Sequence, residues 1–149
     1  MQLKTILNRV QKFKSFVYAK ARWEQVNGQT ALLVEVVPRS NSRPICSGCG
    51  RLGPGYDTLE ARAFEFVPLW GIAVFLVYVM RRVDCRICGV TVESVPWAKG
   101  KHTLTLAYMQ FLAGSARRLS WKEVATTFRT SWEKVFRSVE WIVTVIGRA

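Results

Sequence analysis

Apolar and polar positions follow different rhythms along this chain of 149 residues. Near the N-terminus Leu3, Ile6, Leu7, Val10 and Phe13 recur at the spacing of one helical face, with Lys4, Arg9, Lys12 and Lys14 off it. SFVYAKARW and TALLVEVVP then flank Asn27-Gly28, which predicts a β-hairpin; the loop EQVNGQ reads as longer than two residues. PRSNSRP, polar and with two prolines, predicts a connector over 38–44. VPWAKGKH, with Pro96 and Gly100, marks a second break, and the proline-free stretch 103–147 shows repeated helical spacing.

The longest uncharged run is FVPLWGIAVFLVYVM, fifteen residues over 66–80. As a helix it would reach ~22 Å, short of the ~30 Å hydrocarbon layer, and Pro68 and Gly71 would weaken it. Two strands fit better, FEFVP and IAVFLVYVM, joined by a turn through Pro68, Leu69, Trp70 and Gly71. IAVFLVYVM does not alternate cleanly, so both faces are expected to be covered. Its own helices could cover it; in the rival reading a second subunit does, with Tyr78 and Met80 at the interface.

Two capping boxes stand out near the C-terminus. Ser120 with Glu123 and Thr130 with Glu133 both fit S/T-x-x-E, predicting a short helix, a tight turn near Phe128 to Thr130 and a second helix, as in a helix-turn-helix. In the second helix Trp132, Val135, Phe136, Val139, Ile142, Val143 and Ile146 share a broad apolar face; Ser131, Glu133, Lys134, Arg137, Ser138 and Trp141 lie off it. For a helix entering a DNA major groove, Ser131, Lys134, Arg137 and Ser138 are the candidate contacts. Arg117 and Arg118, at the end of LTLAYMQFLAGSARRL, together with Lys122 and Arg129, are candidate phosphate contacts.

Charge sharpens this picture. The chain has 22 Lys and Arg against 10 Asp and Glu, a net charge of +12 and a pI near 10.2. Basic and acidic residues number eight and two over 1–45, six and five over 46–100, and eight and three over 101–149. A surplus at both ends suggests a polyanionic partner, with nucleic acid first. The N-terminus lacks the unbroken apolar stretch of a secretory signal, so a cytoplasmic, nucleoid-associated protein is expected, without membrane or small-molecule partners.

All four cysteines occur in two copies of one pattern, Cys46-Ser-Gly-Cys49-Gly50 and Cys85-Arg-Ile-Cys88-Gly89. Two residues between cysteines let both thiolates of a knuckle face one metal, and the following glycine lets the backbone turn amide N–H groups toward the sulfurs. A tetrahedral four-sulfur site selects Zn²⁺ or an iron centre and is structural, having no open position. The pairs lie 35 residues apart, beyond the usual spacing, unless the apolar hairpin between them returns Cys85 to Cys46. His102, fourteen residues past Cys88, reads as a linker residue.

In their order, LNRVQKFKSFVYAKARW, RPICSGCG, MRRVDCRICG, VPWAKGKH and LSWKEVATTFRTSWEKVFRSV resemble the N-terminal part of bacterial insertion-sequence transposases of the ISL-three class. The resemblance implies a zinc-ribbon-like module, then a helix-turn-helix, ahead of a DDE nuclease domain with an RNase H-like fold. It places structural Zn²⁺ on Cys46, Cys49, Cys85 and Cys88, and DNA reading on about Ser131 to Trp141. The expected partner is double-stranded DNA, the terminal inverted repeats of an element, with a homodimer as one option. Catalysis does not carry over: the only aspartates are Asp57 and Asp84, too few for a two-metal site. The expectation is a truncated transposase or N-terminal fragment that binds DNA without cutting it.

The fold class expected is therefore α+β: a basic helix and β-hairpin over 1–45, a zinc-ribbon-like four-cysteine β module over 46–100 and an all-helical helix-turn-helix over 101–149. The main rival function is a protein-association module without sequence-specific DNA binding. A third is RNA binding, with Trp23 and Trp97 stacking on bases.

Overall fold

The protein is α+β, a mixed five-stranded sheet with four helices. The computed structural model describes residues 2–146; Ala149 and the side chain of Ile146, which the periodicity puts on the last helix's apolar face, lie outside the described part. Helix α1 (Leu3–Val10) buries Leu7, one member of its predicted face. It leads into β1 (Phe16–Val26) and β2 (Gln29–Pro38), an antiparallel pair. Strands β3 (Gly55–Leu69) and β4 (Ile72–Cys85) form the second hairpin, and β5 (Gly89–Val92) adds to β4. The order is β1-β2-β4-β3, with β2 parallel to β4 from Ala31↔Ala73 to Glu35↔Val77.

Both hairpins close on two residues. Val26 pairs with Gln29 around Asn27-Gly28, so the loop is shorter than the sequence suggests: Asn27 (φ 52°) and Gly28 (φ 76°) are both left-handed, as a tight hairpin turn demands. Leu69 pairs with Ile72 around Trp70-Gly71, with φ of 48° and 77°. Pro68 and Leu69 thus belong to the strand, not the turn.

One face of the sheet carries the main core. Leu32, Val34 and Val36 of β2, Val74, Leu76, Tyr78 and Met80 of β4, and Phe64 and Phe66 of β3 pack with Leu7, Phe13, Val95 and Trp97. The apolar run is a hairpin whose inward side chains are buried, with its outward ones partly covered and Trp70 and Val79 exposed, and no described helix is long and apolar enough to cross a membrane. Tyr78 and Met80, offered above as interface residues, are 1% and 5% exposed within the chain's own core. Trp97, offered as an RNA-stacking residue, is enclosed by the rings of Phe13, Phe16, Phe64 and Tyr78 at centroid distances of 4.9–5.9 Å, and is closed to any base.

The C-terminal helices are α2 (Leu106–Ser115), α3 (Trp121–Thr127) and α4 (Trp132–Ile146). Thr105 caps α2. The Ser120/Glu123 capping box forms in full, each side chain taking the other's backbone N–H at 3.1 and 3.0 Å. The second box does not form. Ser131, not Thr130, accepts from Lys134 N (3.3 Å), so α4 begins one residue later than the pattern suggests. Leu104, Tyr108, Met109, Leu112, Val124, Ala125 and Val135 make a second core, which β3 joins through Val67. Arg117 and Arg118 lie in the turn beyond α2 rather than in its last helical turn.

Three buried tyrosines give an alkaline limit. Burial pushes Tyr18 and Tyr108 up to about 12, and burial followed by Glu93 raises Tyr78 further. An unfolded tyrosine ionises near pH ~10. The folded state keeps protons that the unfolded state releases, so this stabilisation is complete below pH ~10 and is lost as pH rises toward ~12. Melting temperature should fall across that interval together with the rise of tyrosinate absorbance; a melting temperature flat to pH ~12 would contradict the burial of these phenols.

Candidate metal centre and nucleic-acid interface

The hairpin β3–β4 carries Cys85 back beside Cys46. One sulfur from each of Cys46, Cys49, Cys85 and Cys88 lies within 4.8 Å of the others, and Cys49 Sγ and Cys85 Sγ are 3.6 Å apart. A tetrahedron with Zn–S of ~2.3 Å has S–S edges of ~3.8 Å, whereas a disulfide needs ~2.05 Å. The four cysteines are unbridged and could hold a metal ion.

The knuckles have the geometry that their glycines permit. Gly50 (φ 75°) and Gly89 (φ 77°) follow the two pairs, and Gly50 N donates to Cys46 O at 2.8 Å. Gly48 N donates to Cys46 Sγ (3.3 Å) and Cys88 N to Cys85 Sγ (3.4 Å). A Cβ on Gly48 would stand 2.8 Å from Cys88 Sγ, so only glycine leaves room for that sulfur. The Thr91 hydroxyl lies 3.2 Å from Cys46 Sγ. It is the leading cause holding the Cys46 thiol well below its ordinary value, as the N–H groups of Cys88 and Ile87 do for Cys85. Cys88 is raised chiefly by the Cys46 sulfur. Cys49 is raised as well: the Arg51 N–H draws it down, and burial and the Cys85 and Cys46 sulfurs outweigh that pull. One thiol of each knuckle is therefore lowered and the other raised, and a cation would relieve the crowding of sulfurs that raises the second pair.

A buried polar pillar stands beside the cluster. Glu93, 3% exposed, accepts from the Tyr78 hydroxyl, from Arg81 N (2.9 Å) and from the Arg81 guanidinium (Nη2 to Oε2, 3.0 Å). Arg81 also donates to the Ser42 carbonyl (3.1 Å), tying the connector 38–44 to β4. Glu93 pairs with Cys46 across an isolated bridge, so the pillar fixes the first knuckle's backbone. Neither Thr91 nor Glu93 carries a sequence signal, since each acts through a contact between distant segments.

Of the candidate DNA contacts, Arg117, Arg118, Lys122, Arg129, Ser131 and Arg137 are exposed. Lys134 is half-buried and ion-paired with Glu65 of β3, which occupies its charge. Ser138 is fully buried and donates to Lys134 O (2.7 Å), so it cannot reach a base and leaves the set. The apolar face of α4 is also rotated from its predicted place. Val135 is buried and Val139 and Trp141 pack against the second core, while Trp132 (57% exposed), Phe136 and Val143 (64%) face outward. Trp121 and Phe136 stack edge to face at 5.3 Å, with Trp132 6.5 Å beyond.

The structure adds residues that sequence reasoning missed. A cleft of about 560 Å³ runs between α4 and the loop before α2, lined by Lys101, His102, Lys134, Arg137 and, opposing them, Glu140. Arg62 donates to His102 O (2.8 Å) and Gly100 O (3.5 Å), while Thr103 and Thr105 bond to the backbone of Glu65. The loop is thus held to β3, and Lys101 and His102 share a cleft with Arg137.

Fold and site together define an α+β chain with a four-cysteine cluster at one end of its sheet and a basic helical unit at its C-terminus. The chain is similar to the transposase for insertion sequence element IS1557 of Mycobacterium tuberculosis, in strains CDC 1551 / Oshkosh and ATCC 25618 / H37Rv. Identity is 31% over 105 residues, covering 70% of this chain and 24% of each relative. The chain thus spans about a quarter of the length of those curated relatives. No family model and no solved structure matches it.

Proposed function

We propose that this chain is the DNA-recognition portion of an insertion-sequence transposase of the ISL-three class, a metal-stabilised module that binds the terminal inverted repeats of its element without cutting them. Residues 1–45, 46–100 and 101–149 act as basic helix and hairpin, zinc-ribbon-like module and helix-turn-helix. Structural Zn²⁺ sits on Cys46, Cys49, Cys85 and Cys88 and contributes folding energy. The observation that carries the reading is α3 and α4 joined by a four-residue turn, with Lys122, Arg129, Ser131 and Arg137 exposed around it. The net charge of +12 and the similarity to transposases support it.

In this reading α4 enters the major groove, where Arg137 reads a base edge and the outward Trp132 and Phe136 offer apolar contacts to thymine methyl groups. Lys101, Arg117, Arg118, Lys122 and Arg129 meet phosphates. The setting is the bacterial nucleoid. A second reading, association with another copy, draws on the Trp121, Trp132 and Phe136 cluster, an exposed aromatic face that a homodimer would cover.

Retention on duplex DNA that falls with salt and exceeds retention on single-stranded RNA tests the function; equal retention on both would contradict it. Arg137→Ala should weaken binding to a preferred duplex by roughly 5- to 150-fold, ~1–3 kcal/mol, with the melting temperature unchanged. Affinity and sequence preference equal to the parent's would remove Arg137 from the interface.

A further inference from the structure

The two hairpin tips have the same turn and different residues. Asn27-Gly28 fills its left-handed pair with residues that tolerate positive φ; Trp70-Gly71 puts a tryptophan at φ 48°. A bulky side chain in that region is strained, and Trp70 is also 90% exposed, so its ring gains almost nothing from the core. The neighbouring Asn27 turn shows that a strain-tolerant residue would close the same hairpin. Strain kept without a packing return is characteristic of residues that serve a contact.

The position of Trp70 says which contact. With Ala31 opposite Ala73 in the parallel pair, both tips lie at one end of the sheet. That end abuts the turn between α3 and α4: Gln29, Pro68, Gly71, Thr127, Phe128 and Arg129 line one cavity of about 370 Å³. Arg129 is exposed, itself left-handed (φ 53°), and precedes the α4 cap Ser131 by two residues. Gly71 and Arg129 thus border the same cavity, and the exposed Trp70, adjacent to Gly71 in the turn, lies at the end of the sheet beside the start of α4. One ring offers far less area than the roughly 800 Å² per partner that a stable protein interface buries. Flat apolar surface beside a cation does match DNA, where a ring packs on sugars or wedges at a base step and the cation takes a phosphate.

We propose that Trp70 is an apolar anchor for duplex DNA, packing against the stretch that flanks the bases met by α4, with Arg129 on the adjoining phosphate. This rests on the DNA-binding reading of α3 and α4 and extends the interface to the β3–β4 tip. The anchor contacts sugar or base faces irrespective of sequence, so it adds affinity rather than specificity.

The test compares the metal-loaded chain with Trp70→Asn and Trp70→Phe, using a labelled duplex selected from a random-sequence pool. Trp70→Asn should raise the melting temperature by about 2–4 °C, because asparagine accepts the turn's backbone. It should weaken duplex binding by at least about fivefold, the lower end of what loss of one stacked aromatic produces. Trp70→Phe should keep most of the affinity, and neither variant should change which sequence is preferred. Unchanged affinity of Trp70→Asn would overturn the proposal, as would a fall in its melting temperature, which would make Trp70 a structural residue. Lost self-association with intact DNA affinity would reassign it to a protein contact and equally overturn the proposal. If the parent chain binds no duplex, both this inference and the function beneath it fail; if the parent binds and Trp70→Asn binds equally, only the inference does.

Discussion

Cys85→Ser is expected to abolish binding of a single metal equivalent and to loosen the knuckle end of the sheet while the main core stays folded. The apolar packing there is slight: Cys46, Val83 and Cys85 form a small cluster of their own, separate from the sixteen buried residues of the main core. Backbone ties to the first knuckle are few, chiefly the bridges Ile45↔Leu52 and Cys46↔Glu93. A structural zinc site contributes about 10–16 kcal/mol of binding free energy in small domains, far more than such a cluster supplies. Losing even a residue that only orients a ligand lowers metal affinity about 10–100-fold, and loss of a ligand should exceed that. Metal content by elemental analysis, with hydrogen exchange over 44–56 and 84–92, reads both effects. A chelator should reproduce the exchange pattern in the parent chain. Undiminished metal in Cys85→Ser would contradict the four-sulfur assignment.

Glu93→Gln is expected to lower the melting temperature by about 6–12 °C, a loss of about 3 kcal/mol. The substitution keeps the shape and removes the charge. Arg81, whose side chain is 15% exposed, would keep a guanidinium with no carboxylate opposite it, and Tyr78 would lose a charged acceptor. Breaking a buried pair from one side costs more than the pair contributes as a whole, since the remaining charge stays desolvated. The change reaches the four-cysteine cluster through the Cys46↔Glu93 bridge, so its affinity for a metal ion should fall as well. A melting temperature within ~2 °C of the parent would show that Arg81 finds water or another partner.

Local signals in the sequence located most elements, and contacts between distant segments account for most of what it did not reveal. The Asn27-Gly28 turn and the apolar second hairpin were legible because turn residues and β-branched runs act within a few positions. The outer part of β3, GYDTLEARA, was not: its residues are largely exposed on both faces, and only pairing with β4 makes it a strand. The parallel pairing of β2 with β4 likewise leaves no local mark. At the start of α4 Thr130 and Ser131 are both competent caps, and the pattern favoured the wrong one by a single residue. Ser138 misled because a serine bonded to its own helix carbonyl can sit on a buried stripe like a small apolar residue. The cysteine spacing showed which residues could share a metal. The Thr91 hydroxyl and the Glu93 pillar beside them depended on the returned hairpin.

The measurement that bears most directly on the central claim is sequence selection by the metal-loaded chain from a pool of random duplexes, repeated with Arg137→Ala. The account predicts enrichment of one motif by the parent chain and its weakening by the substitution. Enrichment of no motif, with retention set only by salt, would contradict it and leave the chain a basic tether rather than a reader of DNA.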